Sequence, residues 1–349
     1  MNKLSASRIK VAQTCSWQYW TKYILKLPDK SNDGAKRGSI CHLVFECLGN
    51  PRHKKHYVKI LKNKDIFASK AVETLVMKHA IRERVDDEEN ICLIKDMTLN
   101  GLQYDFFGKE SGKPTQSISE KEFNINVDEN GKKYAIRGFI DKLFLYKRKS
   151  LAIIRDFKSS KQVFKGKEVT NNLQDLMYCL AVKHLYPDYL KRRSEFVFLK
   201  FDLSKDMLGK TGKGLLEMGA IGEDELEGFE YELTEIQKYL DSFNIAYAKS
   251  SFAADQDYPK DGTFGGPLVC GKEGYNQRRG KFLLDAKGSK IESYICSVRK
   301  PMEYYVLLDK DGKILASSFK ENKKSLQNKK KKGQKIELRK YAGCPRWEK

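Results

Sequence analysis

Two long apolar runs separated by four polar residues constrain this chain more than any other feature. Lys133 to Tyr146 and Leu151 to Phe157 are rich in aromatic and branched residues, and Lys147-Arg148-Lys149-Ser150 between them is polar enough to turn. This pattern predicts an antiparallel β-hairpin. A turn centred between Arg148 and Lys149 pairs Asp141 with Asp156, Leu143 with Ile154 and Leu145 with Ala152. Period-two alternation puts all six on one face, apolar near the turn and ending in two opposed carboxylates. Lys158, two residues beyond Asp156, falls on the same side.

Like charges at the rim of an apolar surface cannot both stay ionised unless a metal or a proton sits between them. Oxygen ligands favour Mg²⁺ or Mn²⁺. Such an ion polarises a phosphodiester and lowers the pKa of a bound water, while Lys158 orients that water or offsets charge building on the phosphate. Asp-x-Lys alone carries little weight. In a lysine-rich chain it arises by chance, and two solvated strand ends explain it equally well.

The neighbouring residues shift that balance. Thr170 to Tyr186 reads as a helix with Thr170 or Asn171 as its N-cap, stopped by Pro187, and Gln174 and Tyr178 share one face at i and i+4. Ordinary packing is the alternative for both, since Leu173, Leu176, Met177 and Leu180 make this helix apolar. Upstream, Arg37 to Glu46 reads as a glycine-opened helix carrying His42, whose imidazole suits a third ligand beside two carboxylates. A packed histidine on a core-facing helix is its alternative, and Glu46, one turn on, reads as solvated.

In order, these residues form G-x-x-x-H (Gly38 to His42), G-x-x-D (Gly138 to Asp141), D-x-K (Asp156 to Lys158) and Q-x-x-x-Y (Gln174 to Tyr178). The set resembles the RecB-like branch of the PD-(D/E)XK nuclease superfamily, which includes nuclease domains of recombination machines and CRISPR-associated adaptation nucleases. The resemblance covers roughly residues 4 to 205. It implies a mixed β-sheet flanked by helices, and a metal held by His42, Asp141, Asp156 and the Phe157 main-chain carbonyl. It further implies that Lys158 positions the water and that Gln174 and Tyr178 hold DNA beside the scissile phosphate.

The opening residues fit the same branch. Leu4-Ser5-Ala6-Ser7-Arg8 resembles its S-x-S helix start, and Cys15-Ser16-Trp17-Gln18-Tyr19 resembles its C-P-x-x-(Y/F) segment without the proline. In many relatives that cysteine joins three near the C-terminus to hold an iron–sulfur cluster. Of the eight cysteines here, Cys41, Cys47 and Cys179 sit in apolar helices and read as small buried hydrophobes. Cys270, Cys296 and Cys344 are the candidate partners of Cys15, for a [4Fe-4S] cluster or Zn²⁺. Their long intervals depart from the compact C-x-x-C group of the branch, which leaves unrelated structural cysteines as the competing reading.

A polyanionic partner agrees with 67 Lys and Arg against 46 Asp and Glu, a formal charge of +21. A solvated lysine surface gives the same count. Lys323-Lys324 and Lys329-Lys330-Lys331-Lys332 form the densest cluster, read as a mobile loop that either contacts DNA or merely keeps the chain soluble. No apolar run approaches the ~18 residues that span a bilayer, and the sparse cysteines suit a reducing cytoplasm. No Walker-type G-x-x-x-x-G-K-(S/T) appears, so helicase activity would come from a partner helicase or recombination protein.

The expected organisation is an α/β nuclease core with additions. Residues 1–50 supply opening helices, 51–100 a helical insertion, 101–265 the core sheet and its helices, and 266–349 a small β-rich appendage that carries the late cysteines. Phe196 to Phe201 suits an inner strand, Ser204 to Gly228 a loop or short hairpin, and a helix is expected around Thr234 to Tyr247. Asp309-Lys310-Asp311-Gly312 marks a hairpin turn in the appendage. The activity the resemblance implies is metal-dependent DNA hydrolysis, as an exonuclease in recombination, repair or replication. A structure-specific or single-strand endonuclease and a DNA-end-binding subunit with a vestigial site are the alternatives.

Overall fold

The hairpin forms in the expected register. In the computed structural model, strands β2 (Lys132–Tyr146) and β3 (Leu151–Lys158) pair antiparallel, with Leu143 opposite Ile154 and Leu145 opposite Ala152. A 3₁₀ turn over Lys147–Lys149 joins them, and Ser150 takes a left-handed conformation at φ 48. The structure describes residues 1–29, 32–204, 212–256, 270, 272–273, 275–276, 281–282, 292–293 and 296–346.

The chain divides into two units, residues 1–5 with 31–237, and residues 6–30 with 238–349. The first unit is built on a five-stranded mixed sheet in the order β1-β2-β3-β4-β5, with β1 at Gln116–Glu129, β4 at Lys191–Phe198 and β5 at Leu215–Glu217. The Asn130-Gly131 dipeptide turns β1 into β2 with both residues at positive φ, the turn chemistry that suits the twist of a hairpin. β3 and β4 run parallel, so a crossover must join them, and it contains helix α8 (Leu173–Leu185). The four-residue helix α7 (Lys167–Thr170) precedes α8.

Neighbouring residues of β3 face opposite layers. Phe157 packs with Phe45 and Phe106 among helices α3 (Asp33–Gly49), α4 (Lys54–Asn63), α5 (Lys70–Glu83) and α6 (Glu88–Gln103), where Ile40, Val44, Leu48, Ile94 and Met97 are buried. Asp156 instead meets α8, which buries Met177, Leu180, Ala181 and Val182. Arg155 and Glu195, adjacent across the β3–β4 ladder, form a buried ion pair at 2.8 Å. The guanidinium also donates to the Tyr104 and Asp105 carbonyls, so its donors are satisfied inside the fold.

Several boundaries differ from the sequence expectation. α3 starts at Asp33 under an Asn32 cap, so Gly38 lies within the helix instead of opening it. The cap of α8 is Asn172, whose side chain accepts from the Gln174 and Asp175 amides, because Thr170 already belongs to α7. Helix α9 runs Glu223–Asp241, with a short α10 at Ile245–Ala248, so the helical segment begins well before Thr234. Its acidic first turn, Glu223-Asp224-Glu225, complements the helix dipole and marks the start that apolar periodicity hid. Within Ser204 to Gly228, β5 extends the sheet; residues 205–211 lie outside the described residues.

The second unit holds α1 (Ala6–Thr14), α2 (Ser16–Tyr19) and a three-stranded antiparallel sheet in the order β7-β6-β8, with β6 at Met302–Leu308, β7 at Ile314–Phe319 and β8 at Lys335–Tyr341. The expected turn at Asp309 to Gly312 joins β6 to β7, with Gly312 at φ 76. The lysine-rich segment is less irregular than expected. Lys323–Gln327 forms helix α11, which buries Leu326, and Lys329 to Lys332 follow as exposed residues. No helix among the described residues is long and apolar enough to cross a membrane.

Lys142 is the least compensated side chain of the first sheet. It is fully buried, its Nζ has no hydrogen-bond partner among the described residues, and it stands 3.9 Å from the centroid of the Phe106 ring. Burial, aided by the Arg155 charge, pulls its pKa down to about 7. A buried amine with only an aromatic face for company is a net penalty. Lys142→Met, similar in length and apolar, is expected to stabilise the fold by roughly 1–3 kcal/mol. Urea unfolding of both proteins checks this, and a lower midpoint for the variant would contradict it.

Candidate active site

Two close approaches position the site, and a glycine stands at each. A Cβ on Gly38 would lie 2.5 Å from the Ser159 hydroxyl, so its absence lets α3 settle against the end of β3 and brings His42 over the strand. A Cβ on Gly138 would lie 2.5 Å from the Phe123 ring, which covers that glycine and meets Tyr178 edge-on at 6.3 Å. The glycines of G-x-x-x-H and G-x-x-D thus stand at close packing contacts, and the polar residue in each motif is what the packing delivers.

The β2–β3 ladder ends at Lys142 and Arg155, one pair short of the carboxylates. Asp141 does not pair with Asp156 in the ladder as the hairpin extrapolation expected. Its Oδ2 instead accepts from the Phe157 amide at 2.7 Å, while its Oδ1 lies 3.3 Å from His42 Nδ1. His42 Nε2–H donates to the Phe157 carbonyl at 3.0 Å. His42, Asp141 and the Phe157 carbonyl therefore converge. Burial opposes charge on His42, but the bond to Asp141 and the charges of Asp141, Asp156 and Glu120 outweigh it and push its pKa up to about 9.

Asp156 lies on the other side, only 4 % exposed. Its Oδ1 accepts from Gln174 Nε2 and from the Tyr178 hydroxyl, both at 2.8 Å. Its Oδ2 forms an ion pair with Lys158 Nζ at 2.6 Å and, among the described residues, accepts no further hydrogen bond. Lys158 donates to Gln174 Oε1 at 2.7 Å, and Gln174 Nε2 also contacts the Tyr178 oxygen at 2.6 Å. Burial raises the Asp156 pKa above the ordinary carboxylate range, with Asp141 adding to the rise and Lys158 opposing it. Burial and the Asp156 charge raise the Tyr178 pKa well above its usual value, so its hydroxyl stays a donor.

One residue escaped the sequence reading. Glu120 on β1 offers a carboxylate oxygen that lies, with atoms of His42 and Asp141, in a group mutually within 4.8 Å. It belongs to no motif. A signal for it existed: the Asn130-Gly131 turn sets Ser119 opposite Lys142 and Lys121 opposite Ile140, which leaves Glu120 across from Asp141. An open cavity of about 460 Å³ lies beside this group, lined by His42, Glu46, Glu120 and Ser159. Glu46 is exposed, as expected.

The donor set suits a hard divalent cation: carboxylates on three backbone segments, one imidazole and a carbonyl. The positive charges nearby are few. Only Lys158 and a protonated His42 oppose Asp141, Asp156 and Glu120 among the partners described above.

In the second unit, Cys15, Cys270, Cys296 and Cys344 line one cavity with Trp17, Phe252 and Val298. The intervals that looked too long are closed by the fold. Cys15 caps α2 with extended backbone, and Trp17 stacks on Phe252 at 5.9 Å and donates to the Tyr341 hydroxyl at 2.7 Å. The missing proline has a local reason, because the Ser16 amide that proline lacks donates to the Ser251 carbonyl at 2.8 Å. Burial, then the nearby Cys15 and Cys344 charges, pushes Cys270 up to about 11. Burial chiefly, with all three other thiols adding, pushes Cys296 up to about 12. All eight cysteines are free thiols; Cys41 and Cys179 are buried, whereas Cys47 is half-buried and not wholly a core residue.

Comparison with known proteins places the chain in a family. No curated protein matches the chain significantly. Among solved structures, one described as "Crystal structure of SSO0001" is similar at 14 % identity, covering 64 % of this chain and 84 % of that one, with a TM-score of 0.24. The family model described as "PD-(D/E)XK nuclease superfamily" matches residues 3–260, a span that contains His42, Asp141, Asp156, Lys158, Gln174 and Tyr178. The mixed sheet and its helices are the fold of that superfamily, whose members are metal-dependent nucleases, and this chain belongs to it.

Proposed function

We propose that the protein is a Mg²⁺- or Mn²⁺-dependent DNA nuclease of the RecB-like branch, acting as an exonuclease in recombination, repair or replication. The observation that carries the reading is the intact network around Asp156. A vestigial site would not keep Lys158, Gln174 and Tyr178 all bonded to it or to one another. His42, Asp141, Asp156 and the Phe157 carbonyl would hold the metal, which when bound would supply Lewis acidity to the scissile phosphate and acidify a water.

The protein's own groups then divide the remaining work. Lys158, held between Asp156 and Gln174, keeps a cation where the attacking water and the phosphate meet, and offsets negative charge that grows in the transition state. Tyr178 is buried and its hydroxyl is committed to Asp156. Gln174 is likewise committed to Asp156 and Lys158. In this reading both act as positioning residues for Asp156 and Lys158. Exposed lysines, Lys329 to Lys332 among them, contribute phosphate contacts, so binding weakens steeply with salt.

In this reading the four thiols, which line one cavity, would hold a [4Fe-4S] cluster as the resemblance implies, with a single Zn²⁺ as the alternative.

End-labelled linear and covalently closed circular single-stranded DNA, each with and without Mn²⁺, test the reading. Cleavage of the linear substrate from its ends, dependent on Mn²⁺ and inhibited by salt, is the expected result. Equal cutting of circles would convert the assignment to an endonuclease, and no cleavage of either DNA would overturn it.

A further inference from the structure

We propose that Glu120 is a third carboxylate ligand of the active-site metal, supplied by β1 and absent from the motif set. The inference rests on the metal site proposed above and extends it by one residue. Its basis is geometric: ligand atoms of Glu120, His42 and Asp141 lie mutually within 4.8 Å, close enough for one ion to bridge them. Asp156, 4 % exposed, offers a further buried oxygen, 2.6 Å from the Lys158 ammonium.

The sheet is shaped around this residue. β1 and β2 keep one register on both sides, with Ser119 opposite Lys142 and Lys121 opposite Ile140, but the ladder lapses at Glu120 and Asp141. Glu120 alone in β1 has a left-handed backbone, φ 48, which a branched or bulky side chain resists and glycine adopts freely. A structural kink here would be served best by glycine. The chain instead keeps a carboxylate, half-buried, and among the described residues Glu120 forms no ion pair with a lysine or arginine. Glu120 and Asp141 stand close enough to repel each other, and a divalent cation would join them.

Charge balance gives the ligand a purpose. With a divalent ion bound and all three carboxylates ionised, Asp141, Asp156 and Glu120 would carry three negative charges, which the ion and the Lys158 ammonium would neutralise. Without Glu120 the loaded site would be net positive before the phosphate arrives. The third carboxylate therefore strengthens metal binding and favours oxygen-preferring ions, Mg²⁺ and Mn²⁺, over softer ones.

Calorimetric titration of the full-length protein with MnCl₂, in wild type, Glu120→Gln, Glu120→Gly and Asp156→Asn, tests the assignment. Glu120→Gln keeps the shape and removes the charge, while Glu120→Gly also suits the backbone, so its metal-free melting temperature should not fall. Both are expected to weaken Mn²⁺ binding by about tenfold or more. Mn²⁺ affinity within twofold of wild type in both variants would overturn the Glu120 assignment alone. A wild-type protein that binds no Mn²⁺ would overturn the metal-site reading, and this inference with it.

Discussion

Asp156→Asn and Lys158→Ala are each expected to lower DNA cleavage by at least ~100-fold while leaving DNA binding nearly unchanged, the usual loss when a transition-state electrostatic contact is removed. The expectation follows from what the two side chains touch. Among the described residues the Asp156 carboxylate bonds to Gln174 and Tyr178 and pairs with Lys158 at 2.6 Å, and the Lys158 ammonium donates to Gln174, so both side chains serve the site. Burial already raises the Asp156 pKa, so the neutral asparagine relieves a penalty and the metal-free melting temperature should hold or rise. What the variant should lose is the increase in melting temperature that Mn²⁺ confers on wild type. The pair of readouts separates catalysis from folding. Wild-type turnover in both variants, at matched purity, would remove these residues from the chemistry.

Cys344→Ser should have the largest effect on stability. The four thiols come from distant parts of the chain, so an ion or cluster they share contributes its binding energy to the folding of the second unit. Anaerobically purified wild type is expected to be brown and to contain iron. The variant should lose most of that iron and melt about 5–10 °C lower. Cys179→Ser is the control, because that thiol is fully buried in α8 and lies 3.5 Å from an Asp175 oxygen, far in kind from the cysteine cavity. Folded, active wild-type protein with neither iron nor zinc by elemental analysis would defeat the cluster while leaving the nuclease site intact.

The hairpin was legible because its signal is local. Alternation along β2 and β3 and a polar turn between them determine the register whatever surrounds them. The order of the motifs was legible for the same reason, since each is a short spacing on one helix or strand. The cap of α8 and the start of α3 were misplaced by one to five residues, because Asn32 and Asn172 compete with other plausible caps nearby. α9 was shortened because its first turns are acidic and only weakly apolar.

Tertiary structure decided what the residues do for one another. The sequence by itself determined the sheet's central hairpin and the superfamily, and it singled out His42, Asp141, Asp156 and Lys158 as the candidates proposed for the site, since these depend on spacing and residue type. It could not show that Asp141 turns to the Phe157 amide instead of pairing with Asp156, nor that Tyr178 is consumed by Asp156. Nor could it bring Cys15, Cys270, Cys296 and Cys344 to one cavity, or Glu120 to His42. Those outcomes belong to contacts between segments far apart in the chain. Such contacts depend on how helices and strands pack, through Gly38 against Ser159 and Gly138 under Phe123, and packing of that kind leaves no periodic trace in a linear sequence.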